Sequence, residues 1–131
     1  MKTGSCLCGD VRFELRGPLD DVIVCHCTQC RKQTGHQWAS THTADADLYV
    51  TSSRSLRWYR SSETAQRAFC GRCGSTLFWK RDGSAVTSVC VGVINGPTGL
   101  AIAGHIFVAD RGDYYTLGEP THSGEYRKDG C

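Results

Sequence analysis

The run Cys25-His26-Cys27-Thr28-Gln29-Cys30 places three thiols within six residues, and two pairs flank it, Cys6-Leu7-Cys8 upstream and Cys70-Gly71-Arg72-Cys73 downstream. Thiolates at such spacings suit zinc, which takes four ligands in a closed structural site and three plus an exchangeable one in a catalytic site. The two pairs together supply four sulfurs. They would form a closed site that ties the N-terminus to the middle of the chain. Cys25, Cys27 and Cys30 then remain together, one ligand short. We read them as the ligands of a second zinc with a position open for chemistry. Two alternatives stay open. His36, His42 or His105 could close the trio into a second structural site. Cys70 and Cys73 could instead be a redox pair, although that motif usually opens a helix in a βαβ setting and the surroundings here read as β.

The charge of the trio narrows its chemistry. Three thiolates on one zinc give a centre of net charge −1, a poorer Lewis acid than zinc on neutral imidazoles. Such a centre is poorly suited to activating water. It suits a substrate thiol that loses its proton and binds as thiolate. A thiolate so held can attack an aldehyde carbonyl to give a hemithioacetal, or release one in reverse. Arg31 and Lys32 follow the trio and could meet the carboxylates of a substrate; the plainer reading is solvated charge. His36 could relay a proton or be an ordinary surface or packing histidine. The ring of His26, between two ligands in an extended segment, should point away from the metal and either support the ligands from behind or reach solvent.

The elements that position these residues read as short strands. Residues 10–16 alternate, with Val11, Phe13 and Leu15 on one face. Val22-Ile23-Val24 delivers the chain to Cys25. Thr28 should cap a short helical turn ended by Gly35, its free N–H groups aimed at Cys27 and Cys30. Further strands are expected at 37–41, 47–51, 56–60, 64–69 and 76–79. A long one should run from Ser84 to Ile94, with another at 105–108. The tail from Asp110 has no assignable pattern; Asp113-Tyr114-Tyr115 could close a pocket or lie on the surface. Cys90 reads as a small buried apolar residue and Cys131 as incidental. Many short strands and one brief helix predict a mainly antiparallel β domain.

With 131 residues, 40% apolar and 21% charged, one domain is expected over residues 1–131, with a core of about 3–108 and a tail of 109–131. No apolar run approaches the roughly 20 residues of a membrane span. The first residues carry no apolar signal core, so a cytoplasmic protein is expected. In that compartment nine cysteines point to metal or catalysis rather than disulfides. The formal charge of +2 would fall to about −1 with seven ligating thiolates and two zinc ions. No basic run exceeds two residues, so no nucleic-acid partner is expected.

Four segments carry a resemblance: Ser5-Cys6-Leu7-Cys8-Gly9, Cys25 through Gly35, Phe69-Cys70-Gly71-Arg72-Cys73-Gly74-Ser75, and His105-Ile106-Phe107-Val108. In this order the chain resembles the glutathione-dependent formaldehyde-activating enzyme family, which includes centromere protein V. The resemblance implies several short, curled antiparallel sheets in an Mss-four-like zinc-containing fold. It implies a structural zinc on Cys6, Cys8, Cys70 and Cys73, and a catalytic zinc on Cys25, Cys27 and Cys30. It implies a carbon–sulfur lyase that joins formaldehyde to glutathione as S-hydroxymethylglutathione. The competing readings are a zinc-stabilised binding module and a thiol-redox or metal-sensing protein.

Overall fold

The computed structural model describes residues 1–117. Their strands are β1 (Lys2–Ser5), β2 (Val11–Leu15), β3 (Val22–Cys25), β4 (Trp38–Ala44), β5 (Leu48–Ser53), β6 (Leu56–Arg60), β7 (Ala65–Cys70), β8 (Thr76–Arg81), β9 (Val86–Cys90) and β10 (Ile102–Ile106). One helix, α1 (Thr28–Thr34), lies between β3 and β4. No described helix is long and apolar enough to cross a membrane.

The strands form two sheets. One has the order β1-β2-β5, the other β10-β3-β4-β9-β8-β7-β6. The fold is mainly β, as the sequence predicts, and its ladders are antiparallel with one exception. β10 runs parallel to β3, pairing His105 with Val24 and Ile106 with Cys25. A hairpin can only join antiparallel strands. β10 returns to this edge through the long stretch after β9, and alternation cannot foretell that direction.

The alternation in β2 buries Val11, Phe13 and Leu15, each at most 1% exposed. Phe13 meets Phe78 of β8 edge to face, with ring centroids 5.1 Å apart. Around this pair Cys6, Ala68, Cys70, Leu77 and Val89 complete one apolar core. A second core gathers Cys25, Cys27, Cys30, Trp38, Ala65 and Trp79. β7 serves both. Side chains alternate across a strand, so Ala65 and Arg67 face the second core while Ala68 and Cys70 face the first.

Three expectations need correction. The strand read from Ser84 to Ile94 is β9 alone; a 3-10 turn at Val91–Val93 breaks it and lets Ile94 bridge back to Gly4. The last strand is Ile102–Ile106 rather than 105–108, because Phe107 takes a left-handed conformation, φ 54° and ψ 38°, that ends it. The cap of α1 is Cys27, not Thr28: the Cys27 sulfur accepts from the Cys30 N–H at 3.2 Å. Gly35 ends the helix at φ 85°, as expected. The reading of Cys131 lies outside the described residues.

Candidate active site and metal centres

The sulfurs of Cys6, Cys8, Cys70 and Cys73 lie within 4.8 Å of one another. A tight turn after β1 presents the first two, held by Cys6 N–H to Val11 C=O at 3.0 Å and by Gly9 at φ 84°. The turn after β7 presents the others, with Gly74 at φ 80°. Backbone N–H groups of Val11 and Cys73 donate to the sulfurs of Cys6 and Cys70 at 3.3 and 3.4 Å.

Cys6 and Cys8 sulfurs are 3.6 Å apart, and Cys8 and Cys70 sulfurs 3.7 Å. A zinc–sulfur bond of about 2.3 Å gives a tetrahedral sulfur–sulfur edge of about 3.8 Å, so the quartet fits the ion. Its electrostatics agree. The Ser75 hydroxyl, 3.3 Å from the Cys73 sulfur, leads the contacts that pull that thiol down to about 5. Cys8 is pushed up to about 12: the Asp10 N–H works to lower it, but desolvation and the three facing sulfurs prevail. Four thiols this close do not all ionise without a cation among them.

The second group is Cys25, Cys27 and Cys30, all buried, their sulfurs again within 4.8 Å of one another. β3 ends on Cys25, and the start of α1 supplies the other two. Among the described residues no further Cys, His, Asp or Glu joins this group. The donors fit a soft cation as the quartet does, with one ligand fewer. The histidines weighed as a fourth ligand are placed elsewhere. His36 is exposed, with its ring 4.4 Å from that of Tyr115. His42 lies 3.7 Å from Asp20. His105 meets His26, ring nitrogen to ring nitrogen, at 2.8 Å.

His26 is fully buried rather than exposed. Its Nδ1 lies 2.6 Å from the Tyr115 hydroxyl and its backbone N–H donates to Ile106 C=O at 3.0 Å. Burial, aided by the charges of His105, His36 and Arg111, holds its pKa down at about 4. Tyr115 thus ties the segment after β10 to the motif. Arg31 is half-buried and Lys32 exposed.

The residue that the spacing of cysteines does not reveal is Arg67. It is 1% exposed. Its Nε donates to Gln29 Oε1 at 2.7 Å and its Nη2 to the Cys30 sulfur at 3.2 Å. Gln29 is itself fixed, donating to the Ser61 carbonyl at 2.9 Å. The guanidinium lies over Trp38, 5.4 Å from the ring centroid, a cation–π distance. Its Nη1 has no partner among the described residues. A buried cation against the trio offsets the negative charge of three thiolates. Ala65 and Ala68 bury both faces of β7 and enclose the charge between them, a closure that no local pattern in the sequence announces.

Beside Arg67 and Cys25 lies a cavity of about 40 Å³. Ile23, Trp38, Trp79, Ile106 and Phe107 contribute its apolar walls; Ser40, His42 and Ser88 complete the lining. Arg31, Lys32 and His36 do not line it. The left-handed Phe107 is the kind of strained backbone that persists where the surroundings over-determine it.

A family model for the glutathione-dependent formaldehyde-activating enzyme matches residues 1–110. An uncharacterised lyase of Schizosaccharomyces pombe is 24% identical over 123 residues, covering 90% of this chain and 86% of its own length. A putative glutathione-dependent formaldehyde-activating enzyme of Halomonas elongata is 35% identical over 83 residues, spanning 57% of this chain and 53% of that protein. The crystal structure of a Rhodobacter sphaeroides protein superposes with a TM-score of 0.62 at 27% identity, covering 72% of this chain and 89% of the other.

Proposed function

The chain belongs to the glutathione-dependent formaldehyde-activating enzyme family, and on that premise we propose that it is a zinc-dependent carbon–sulfur lyase acting on the adduct of a glutathione-like thiol with a small aldehyde. The observation that carries the reading is the three-sulfur group, with a buried arginine donating to Cys30 and with Cys25 lining a small cavity. Two zinc ions per chain are proposed, one on Cys6, Cys8, Cys70 and Cys73 for structure, the other on Cys25, Cys27 and Cys30. Bound at the trio, zinc would supply a position where a substrate thiol is held as thiolate.

The chain's own residues do the rest. In the forward direction the thiol S–H bond breaks and its proton leaves to solvent, a sulfur–carbon bond forms, and the carbonyl π pair ends as an O–H bond with a proton taken back from solvent. Gln29 and Trp38 hold the Arg67 guanidinium against Cys30, where it lowers the cost of gathering negative charge. Trp38, Trp79 and Phe107 keep bulk water from the reacting carbon. Arg31, whose Nε is buried without a partner among the described residues, would meet a substrate carboxylate together with Lys32. His36 would stay at the surface against Tyr115, clear of the cavity. Residues 1–131 would act as one domain, in a reducing cytoplasm that keeps these thiols unbridged.

The test is exchange between free glutathione, formaldehyde and their adduct, followed by NMR with zinc-loaded protein. Acceleration that disappears in Cys30→Ser is expected. Silence across several thiols and aldehydes, with two zincs bound, would overturn the reading.

A further inference from the structure

Two of the trio's sulfurs flank a histidine that has no part in the proposed reaction. We propose that His105 and Tyr115 are positioning residues for these sulfurs: by engaging both ring nitrogens of His26, they fix the backbone on which Cys25 and Cys27 converge. This goes beyond the thiol–aldehyde reading and rests only on the trio being a metal centre.

Three observations carry the proposal. The first is alternation. Cys25 ends β3, and Cys27 is extended, at φ −63° and ψ 159°. Side chains in such a run point alternately to opposite sides, so holding the ring of His26 on one side holds both sulfurs on the other. The second is how completely the ring is held. His26 is 0% exposed, with its Nδ1 2.6 Å from the Tyr115 hydroxyl and its Nε2 2.8 Å from His105 Nδ1. A neutral imidazole has one donor and one acceptor, and a partner stands at each. An apolar side chain would fill the same space and need neither partner. A buried polar ring with both bonds met instead selects one arrangement of its surroundings. The third is where the partners come from. His105 sits on β10, whose next residue, Ile106, pairs with Cys25. Tyr115 meets the ring of His36 edge-on at 4.4 Å, and its neighbour Tyr114 donates to the Gly35 carbonyl at 3.4 Å. Two consecutive tyrosines thus reach both ends of the stretch that carries Cys27 and Cys30, before α1 and after it. Groups that orient a metal's ligands in this way set its affinity without touching it.

The test loads one equivalent of zinc, which the closed quartet should take. Cobalt(II) is then titrated, and its thiolate bands in the visible report the geometry and affinity of the trio. Tyr115→Phe, which removes one oxygen, should weaken cobalt binding at the trio at least about tenfold and shift its bands. His105→Leu should do the same. His105→Asn should restore most of the affinity, because its amide places a polar atom where Nδ1 stands; a role confined to packing would gain nothing from that atom. Asp45→Asn, which loses contacts to Lys80 and Thr87 instead, should bind cobalt as the parent does. Unchanged bands and affinity in Tyr115→Phe would overturn the proposal, and that variant decides the matter if His105→Leu fails to fold. Equal losses in His105→Asn and His105→Leu would overturn it too, as would an equal loss in Asp45→Asn. A parent that takes no cobalt beyond the quartet sinks the metal reading of the trio and the proposal with it. Cobalt binding that loosens as expected, in a protein that turns over no thiol–aldehyde pair, sinks the lyase reading and leaves the positioning role standing.

Discussion

Arg67 donates from Nη2 to the sulfur of Cys30 across 3.2 Å, and neither residue has more than 1% of its surface exposed. A charge-assisted bond out of reach of water is worth more than the same bond at a surface. Groups that bond to a metal's ligands commonly change its affinity by about 10–100-fold when removed. If zinc occupies both groups as proposed, Arg67→Met should therefore loosen the zinc at the trio by that order and leave that at the quartet unchanged. Chelator competition followed in two phases measures both, and an unchanged weaker phase would contradict this role for the bond.

The two sulfur groups should respond differently to loss of a ligand. Cys30→Ser should bind one zinc per chain and stay folded, because α1 and β3 still pack through Trp38 and Ile106. Cys70→Ser should leave the chain largely unfolded, since a structural zinc contributes folding free energy outright. Zinc content with circular dichroism checks both. A folded Cys70→Ser variant holding one zinc would reverse the assignment.

Tyr115 lies beyond the 1–110 stretch that the family model matches, yet its hydroxyl is 2.6 Å from the buried Nδ1 of His26. Tyr115→Phe keeps the ring and strands that nitrogen. Leaving a buried polar group unmet costs about 1–3 kcal/mol. A lower urea midpoint at unchanged slope is the expected reading. No change in midpoint would mean that the contact does not hold the segment down.

Acid should separate another contact. Burial works against the charge of Asp45, but the Lys80 ammonium and the Thr87 hydroxyl, 2.7 Å from Oδ1, outweigh it and keep the carboxyl below its ordinary value. A depressed carboxylate stabilises the fold above its unfolded pKa near 3.9 and loses that contribution as pH falls through its folded value. Asp45→Asn should therefore be less stable than the parent at neutral pH, by about 1 kcal/mol or less at this part-exposed pair. The gap should close as pH falls below about 4. Melting temperatures of the two proteins across pH test this; a gap that widens in acid would refute it.

The cysteine spacing made both sulfur groups legible because each comes as pairs or triplets close in sequence, which only needed to be brought together. Most strands were legible from alternation, as in Val11, Phe13 and Leu15, but β1 (Lys2–Ser5), which carries no such pattern, was not. What escaped were relationships across the sheets. The parallel β10–β3 pairing depends on which edge the chain returns to, not on local pattern. Arg67 reads in sequence as one more polar residue between Gln66 and Ala68; only the closure of both faces of β7 makes it a buried cation. His26 was placed correctly as pointing away from the sulfurs, but its burial depends on His105 and Tyr115, 79 and 89 positions away.

Cys8 and Cys70 meet across 62 positions, and the whole trio lies inside the loop they close. On the ribosome, at about 5–20 residues per second, the trio is complete seconds before Cys73 exists, while Cys6 and Cys8 wait nearby as half a site. Synthesis therefore presents the thiols in an order that keeps the downstream pair out of the first choice of partner. Refolding from denaturant offers every thiol at once, and with the proposed zinc present mixed ligation between the two groups would become the trap that a growing chain meets only in part.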